Sequence, residues 1–194
     1  MNTGQMLMVL GALMLLSLVA LSVNSMLVNK TSTMLETEAD LNAVSLAQSM
    51  LDEILADSYD AATASGTKVY DSTEFTSASG LGPNSTEASN VPLPEPPDTV
   101  VSYKSLKYYN DVDDYNGYKR VAFASSMGPF SIIDSVYYVS ESNPDQKSTT
   151  QTFYKKVVVT VRHRNMYPAS ETFDQWAGKY YVQFSDVAVY RRYF

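Results

Sequence analysis

The chain has 194 residues, 45% hydrophobic and 18% charged, which suits one ordinary domain with an extension and is too short for a multi-domain enzyme. It contains no cysteine and a single histidine, His163, so disulfide frameworks, thiolate nucleophiles and zinc-thiolate sites are excluded. The formal net charge is -7, and the clustered Lys and Arg that bind phosphate backbones are missing, so no nucleic-acid partner is expected.

The charge is concentrated. Residues 1–60 hold one basic residue, Lys30, against Glu36, Glu38, Asp40, Asp52, Glu53, Asp57 and Asp60, which leaves the rest of the chain nearly neutral. Residues 1–29 carry no charged side chain, and Met6 to Val28 reads MLMVLGALMLLSLVALSVNSMLV. About 23 helical residues cover roughly 35 Å, against a hydrocarbon core of about 30 Å, so a single membrane-spanning helix is predicted. A cleaved secretory signal fits less well, because MNTGQ lacks Lys and Arg and no A-x-A site follows the apolar run.

Thr31 to Ala56 contains no Pro or Gly and places Met34, Leu35, Leu41, Val44, Leu46, Met50, Leu51, Ile54 and Leu55 at helical spacings among polar residues. The two stretches are predicted to form one helix over 1–56, apolar all round over 1–29 and amphipathic afterwards. Its second half needs one apolar partner, and the domain that follows is expected to supply it.

Residues 57–99 are rich in Ser, Thr, Ala, Gly and Asp and close on VPLPEPPD, which predicts a long loop with one short strand at KVYDSTEF. Asn84-Ser85-Thr86 and Asn29-Lys30-Thr31 are N-glycosylation triplets, and Asn84 in the loop is the candidate acceptor.

Residues 100–194 predict an antiparallel sheet, with strands near 100–109, 118–125, 130–140, 151–163 and 179–192 separated by turn signals. Val157, Val159 and Val161 alternate with Lys156, Val158, Thr160 and Arg162, the pattern of a half-buried strand. Tyr180, Val182 and Phe184 share one parity while Val187 and Val189 take the other, which predicts a bulge near Ser185-Asp186. The fold class expected is α+β, a long helix packed on a C-terminal antiparallel sheet.

No nucleophile or phosphate-cradle motif is present, and His163 between two arginines at a strand end reads as a surface or structural residue, so no enzyme activity is expected. The most distinctive polar motif is the turn from Asn110 to Gly117. It groups Asp111, Asp113 and Asp114, an oxygen density that suits a hard cation such as calcium, without the spacing of an EF-hand. The competing reading is an Asx-rich turn in which Gly117 takes a positive φ. No other cofactor is expected. The 15 tyrosines, with doublets at 108–109, 137–138 and 180–181, suit sheet packing and subunit contacts.

An uncharged apolar N-terminus leading into a long helix, a Ser/Thr-rich connection and an antiparallel sheet resembles the type IV pilin architecture over the whole chain. DVDDYNGY, Asp111 to Tyr118, is similar to the turn of pilin-like proteins of the mannose-sensitive haemagglutinin pilus type. The resemblance implies a homo-oligomeric helical filament at the cell surface, serving adhesion or motility. Such a subunit passes through an inner-membrane stage and a pilus assembly machinery. The helices would pack at the filament centre through Gln5, Met6, Leu7, Leu10, Leu13, Leu16, Val19, Leu21 and Leu27, and the sheets would form the wall.

Burying roughly 15 apolar side chains at about 1.5–3 kcal/mol each favours such packing over water, whereas the gain over lipid is far smaller and calls for machinery. Glu36, Glu38 and Asp40 would lie where core meets wall, with Arg191 and Arg192 of neighbouring subunits as candidate partners. Three departures stand out. Type IV pilins usually begin with Phe and carry Glu at the fifth position, where this chain has Met1 and Gln5; Gln5 accepts a hydrogen bond but cannot neutralise an amine. A second alignment puts the leader-peptidase glycine at Gly4. The proline common in the apolar half is absent, with Ser22 near its place, which predicts a continuous helix. A minor pilin or pseudopilin, or a single-pass membrane-anchored binding module, fits the same features.

Overall fold

The computed structural model describes residues 2–97, 103–124 and 126–191; Met1, Arg192 and part of the predicted strand 100–109 lie outside them. Helix α1 runs without interruption over Thr3–Ala56, as expected for a stretch without proline. The chain divides into two compact units, residues 1–38 and 39–194, and the boundary falls within α1.

In the first unit, residues 2–37 are all exposed in the single chain. Some of its hydroxyls bond locally: Ser17 donates to the Leu13 carbonyl at 2.8 Å and Thr31 to that of Leu27 at 2.9 Å. Returning to the carbonyl four residues back lets a polar residue sit in an apolar helix without an unmet donor.

The second unit is an antiparallel sheet covered on one face by the C-terminal part of α1. Strands β1 (Lys119–Ala124), β2 (Gly128–Ser140), β4 (Tyr154–Arg162) and β5 (Val182–Val189) lie in the order β1-β2-β4-β5, and the short β3 (Asn143–Lys147) pairs with the end of β2. Register sets the face. Ile132 pairs with Val161, Asp134 with Val159, Val136 with Val157 and Tyr138 with Lys155, so these residues form one core-facing layer.

The helix face on this layer is Ala39, Ala43, Ala47, Met50 and Ile54, all buried. This corrects the predicted stripe. Met34, Leu35, Leu41 and Val44 are exposed, and Leu46, Leu51 and Leu55 flank the core. Alanine at every fourth position lets the backbone approach the sheet closely, so the smaller side chains face inward and the larger ones sit at the edges or outside.

Other expectations are also revised. KVYDSTEF is no strand: residues 72–74 form a 3-10 turn, because the Asp71 carboxylate accepts the Thr73 N–H at 3.0 Å and offers the backbone a local partner. The 57–99 connection carries two short helices, α2 (Ala61–Ala64) and α3 (Ser85–Asn90). A second aromatic cluster of Tyr59, Phe75, Phe153 and Tyr190 holds this connection to the sheet, with Tyr59 and Phe75 at 4.9 Å. Within the predicted strand 100–109, residues Ser105–Tyr108 form helix α4, whose Ser105 N–H goes to the Glu95 carboxylate. β3 arises where a turn was predicted; its residues are all exposed, and such an edge position tolerates Pro144.

The bulge at Ser185-Asp186 does not occur. β4 and β5 pair continuously from Val161 and Val182 to Tyr154 and Val189. β5 is an edge strand with both faces partly exposed, so its apolar alternation does not track burial. The irregularity in the sheet is in β2 at Val139-Ser140.

Candidate functional site

The acidic turn is built from the backbone outward. Asp111 begins a 3-10 turn over Val112–Tyr115, and its Oδ1 accepts the Asp113 N–H at 2.9 Å. Asp114 Oδ2 accepts the Asn110 N–H at 2.9 Å and the Asp111 N–H at 3.3 Å, which closes a capping box. Gly117 follows at φ 81°, the left-handed conformation expected of the Asn-Gly pair. Val112 N–H donates to the Ser58 carbonyl at 2.9 Å and ties the turn to the segment just after α1.

All three aspartates are buried, and Asp113 faces a cation that belongs to the protein. Lys155 is 0% exposed, and its Nζ donates to Asp113 Oδ1 at 2.5 Å, to Asp60 Oδ2 at 2.8 Å and to the Tyr59 carbonyl at 2.7 Å. The rings of Tyr59 and Tyr138 lie 4.5 and 5.4 Å from the ammonium. Asp60 is held by the Thr76 N–H at 3.1 Å, the Thr76 hydroxyl at 3.2 Å and the Ala62 N–H at 3.1 Å. Burial, then the neighbouring Asp113, pushes the Asp111 carboxyl up to about 9, and burial pushes Asp114 up to about 7.

For the calcium reading of Asp111, Asp113 and Asp114, the structure shows where each carboxylate is directed. Asp113 is directed at the Lys155 ammonium, Asp111 and Asp114 close the turn, and the described residues include no group of three or more His, Cys, Asp or Glu placed to hold a metal ion.

A second polar cluster lies beneath α1. Arg120 on β1 donates through Nη1 and Nη2 to both oxygens of Glu53, and through Nε to the Tyr118 hydroxyl at 2.9 Å. Tyr118 donates to Glu95 at 2.8 Å, and the guanidinium lies 3.8 Å from the centre of the Tyr103 ring. Asp134, fully buried on the same sheet face, has neither carboxyl oxygen bonded among the described residues, and burial raises its pKa well above the ordinary value.

His163 is buried and structural. Its Nδ1 accepts the Asn165 N–H at 3.1 Å, Nε2 sits 3.0 Å from the Met127 carbonyl, and the ring stacks on Phe130 at 4.2 Å. Asn84 is exposed at the N-cap of α3, where its Oδ1 accepts the Thr86 and Glu87 N–H groups. The residues predicted for assembly, Gln5, Met6, Leu7, Leu10, Leu13, Leu16, Val19, Leu21 and Leu27, are all exposed on α1 in the single chain.

The sequence reading missed Lys155 and its partner Asp60. The signal was present: Lys155 shares the parity of Val157, Val159 and Val161, so a lysine was due on the core face and needed a buried carboxylate partner.

No protein-family model matches the chain, and no curated protein or solved structure matches it.

Proposed function

We propose that this protein is a structural subunit of a type IV pilus-like filament, polymerising through the apolar part of α1 with the sheet unit as the outer wall. The observation that carries the reading is one helix segment that is apolar on every side. Its most apolar 18-residue window has a mean hydropathy of 2.6 and is 0% buried within the chain. A helix apolar all round requires a complete apolar environment, which lipid supplies before assembly and neighbouring helices supply afterwards. The pilin-like turn DVDDYNGY supports the same reading. On this account the protein is not an enzyme, binds no nucleic acid, and reaches the cell surface through the inner membrane and an assembly machinery. Exposed Arg191 is the described candidate partner for Glu36, Glu38 and Asp40 of a neighbouring subunit.

The chain has no cysteine of its own, so oxidative cross-linking of a Leu10→Cys, Leu16→Cys double variant on intact cells reads the helix packing directly. A ladder of multimers is expected. Monomers alone, with the protein in the membrane fraction, would favour the second reading, an anchored binding module. That reading draws on a cavity of about 590 Å³ in the second unit, lined by Leu46, Met50, Tyr103, Phe123 and Ile132 among others.

A further inference from the structure

We infer that Lys155 and Asp113 are the two halves of an intramolecular isopeptide bond. The two residues are 42 positions apart, one on the central strand β4 and the other in the acidic turn, and Nζ stands 2.5 Å from Oδ1 with both side chains out of solvent. An amine and a carboxyl held at this distance have already lost the translational freedom that opposes amide formation in solution. Exclusion of water also disfavours an ammonium–carboxylate pair relative to the neutral amine and carboxylic acid, the forms that react.

The two candidate carboxyls are not equivalent. Asp60 is oriented by two N–H groups and the Thr76 hydroxyl, with Oδ2 2.8 Å from the Lys155 Nζ, the position from which a proton can be taken off the nitrogen. Asp113 presents Oδ1 to the ammonium and lies beside Asp111, whose N-cap geometry bends the turn so that the two side chains meet. With its pKa at about 9, Asp111 keeps its proton at neutral pH and is the acid of the cluster. The Tyr59 and Tyr138 rings shield the nitrogen from water.

The chemistry balances without a co-reactant. The ammonium passes one proton to the Asp113 carboxylate, giving an amine and a carboxylic acid. The nitrogen lone pair attacks Asp113 Cγ and forms the N–C bond while Asp60 takes a second nitrogen proton. The C–O bond to the hydroxyl breaks as Asp111 protonates it, and one water departs. Asp60 and Asp111 together end with the number of protons they began with, and an ammonium and a carboxylate have become an amide and water. The product would staple the acidic turn to the middle of the sheet, a covalent link in a chain with no cysteine to make a disulfide.

Mass spectrometry of the purified full-length chain after denaturation and trypsin tests this whatever the mature N-terminus or the state of assembly. The expected product is peptide 108–119 joined to peptide 148–156, with cleavage after Lys155 blocked and a mass about 18 Da, one water, below the sum of the two. Lys155→Arg keeps the buried cation but supplies no attacking amine, and should abolish the linked species. Asp60→Asn removes the proton acceptor and should lower the linked fraction at least tenfold. Recovery of 108–119 as a linear peptide, with normal cleavage after Lys155 in the native sequence, would overturn the inference. So would a linked species that survives Lys155→Arg.

Discussion

Arg120 and Glu53 join sheet to helix by two hydrogen bonds, 2.8 Å from Nη1 and 2.5 Å from Nη2, with side chains only 6% and 13% exposed. Such a pair orients the C-terminal part of α1 over β1, because the planar guanidinium donates two parallel hydrogen bonds to the carboxylate while its Nε is held by Tyr118.

Removing one partner leaves a buried charge unmatched. Glu53→Ala is expected to cost about 3–5 kcal/mol, and Glu53→Gln less, since it keeps an acceptor. Denaturant titration of the full chain in detergent reads both. An unchanged midpoint for Glu53→Ala would contradict the structural role given to the pair.

Helix packing makes a paired prediction. Ala43 is 0% exposed and Leu41 is 67% exposed on the same helix. Ala43→Leu should overpack the interface and destabilise by about 1–3 kcal/mol or more, whereas Leu41→Ala should lie within about 0.5 kcal/mol of the native chain. The reverse ranking in the same titration would restore the leucine stripe.

The acidic turn gives a pH dependence of known sign. Burial, followed by the nearby Glu87, raises Asp114 from 3.8 to about 7 in the folded chain, against the two backbone N–H donors that favour its charge. The folded state thus holds this proton more tightly than the unfolded one. The group's contribution is full below about pH 4 and is lost as pH rises to about 7. Asp114→Asn cannot titrate but still offers an acceptor to the turn, so between pH 4 and 7 its denaturation midpoint should fall less steeply than that of the native chain. Parallel curves would contradict the shift.

Calcium is not expected to matter to the fold. With the Lys155 ammonium against Asp113 and Asp60, chelation should leave the thermal midpoint unchanged within error, and added calcium should give no heat in isothermal titration. A calcium-dependent rise of several degrees would return Asp111, Asp113 and Asp114 to a metal site.

Much of the fold was legible because period and burial agree. The α1 helix and strands β1, β2, β4 and β5 follow from long apolar patterns, and the end of α1 at Ala56 from the change in composition that follows. Errors arose where local hydrogen bonding or position in the sheet outweighed apolar pattern. Asp71 turns KVYDSTEF into a 3-10 turn, the edge position of β5 mimics a bulge, and alanines rather than leucines meet the sheet. The site was half legible. Its acidic residues stood out as a cluster, but Lys155 is 42 residues away from Asp113, and only register brings them together. Reading the parity of β4 one residue further back would have placed that lysine in the core.

The filament reading is tested most directly by shearing the surface fraction from source cells, imaging it by negative stain and identifying its main protein by mass spectrometry. The account predicts thin filaments in which this chain predominates, lost when Leu13→Asp and Leu16→Asp place charge on the apolar helix. Small detergent-soluble particles, with no filaments containing the chain, would contradict it.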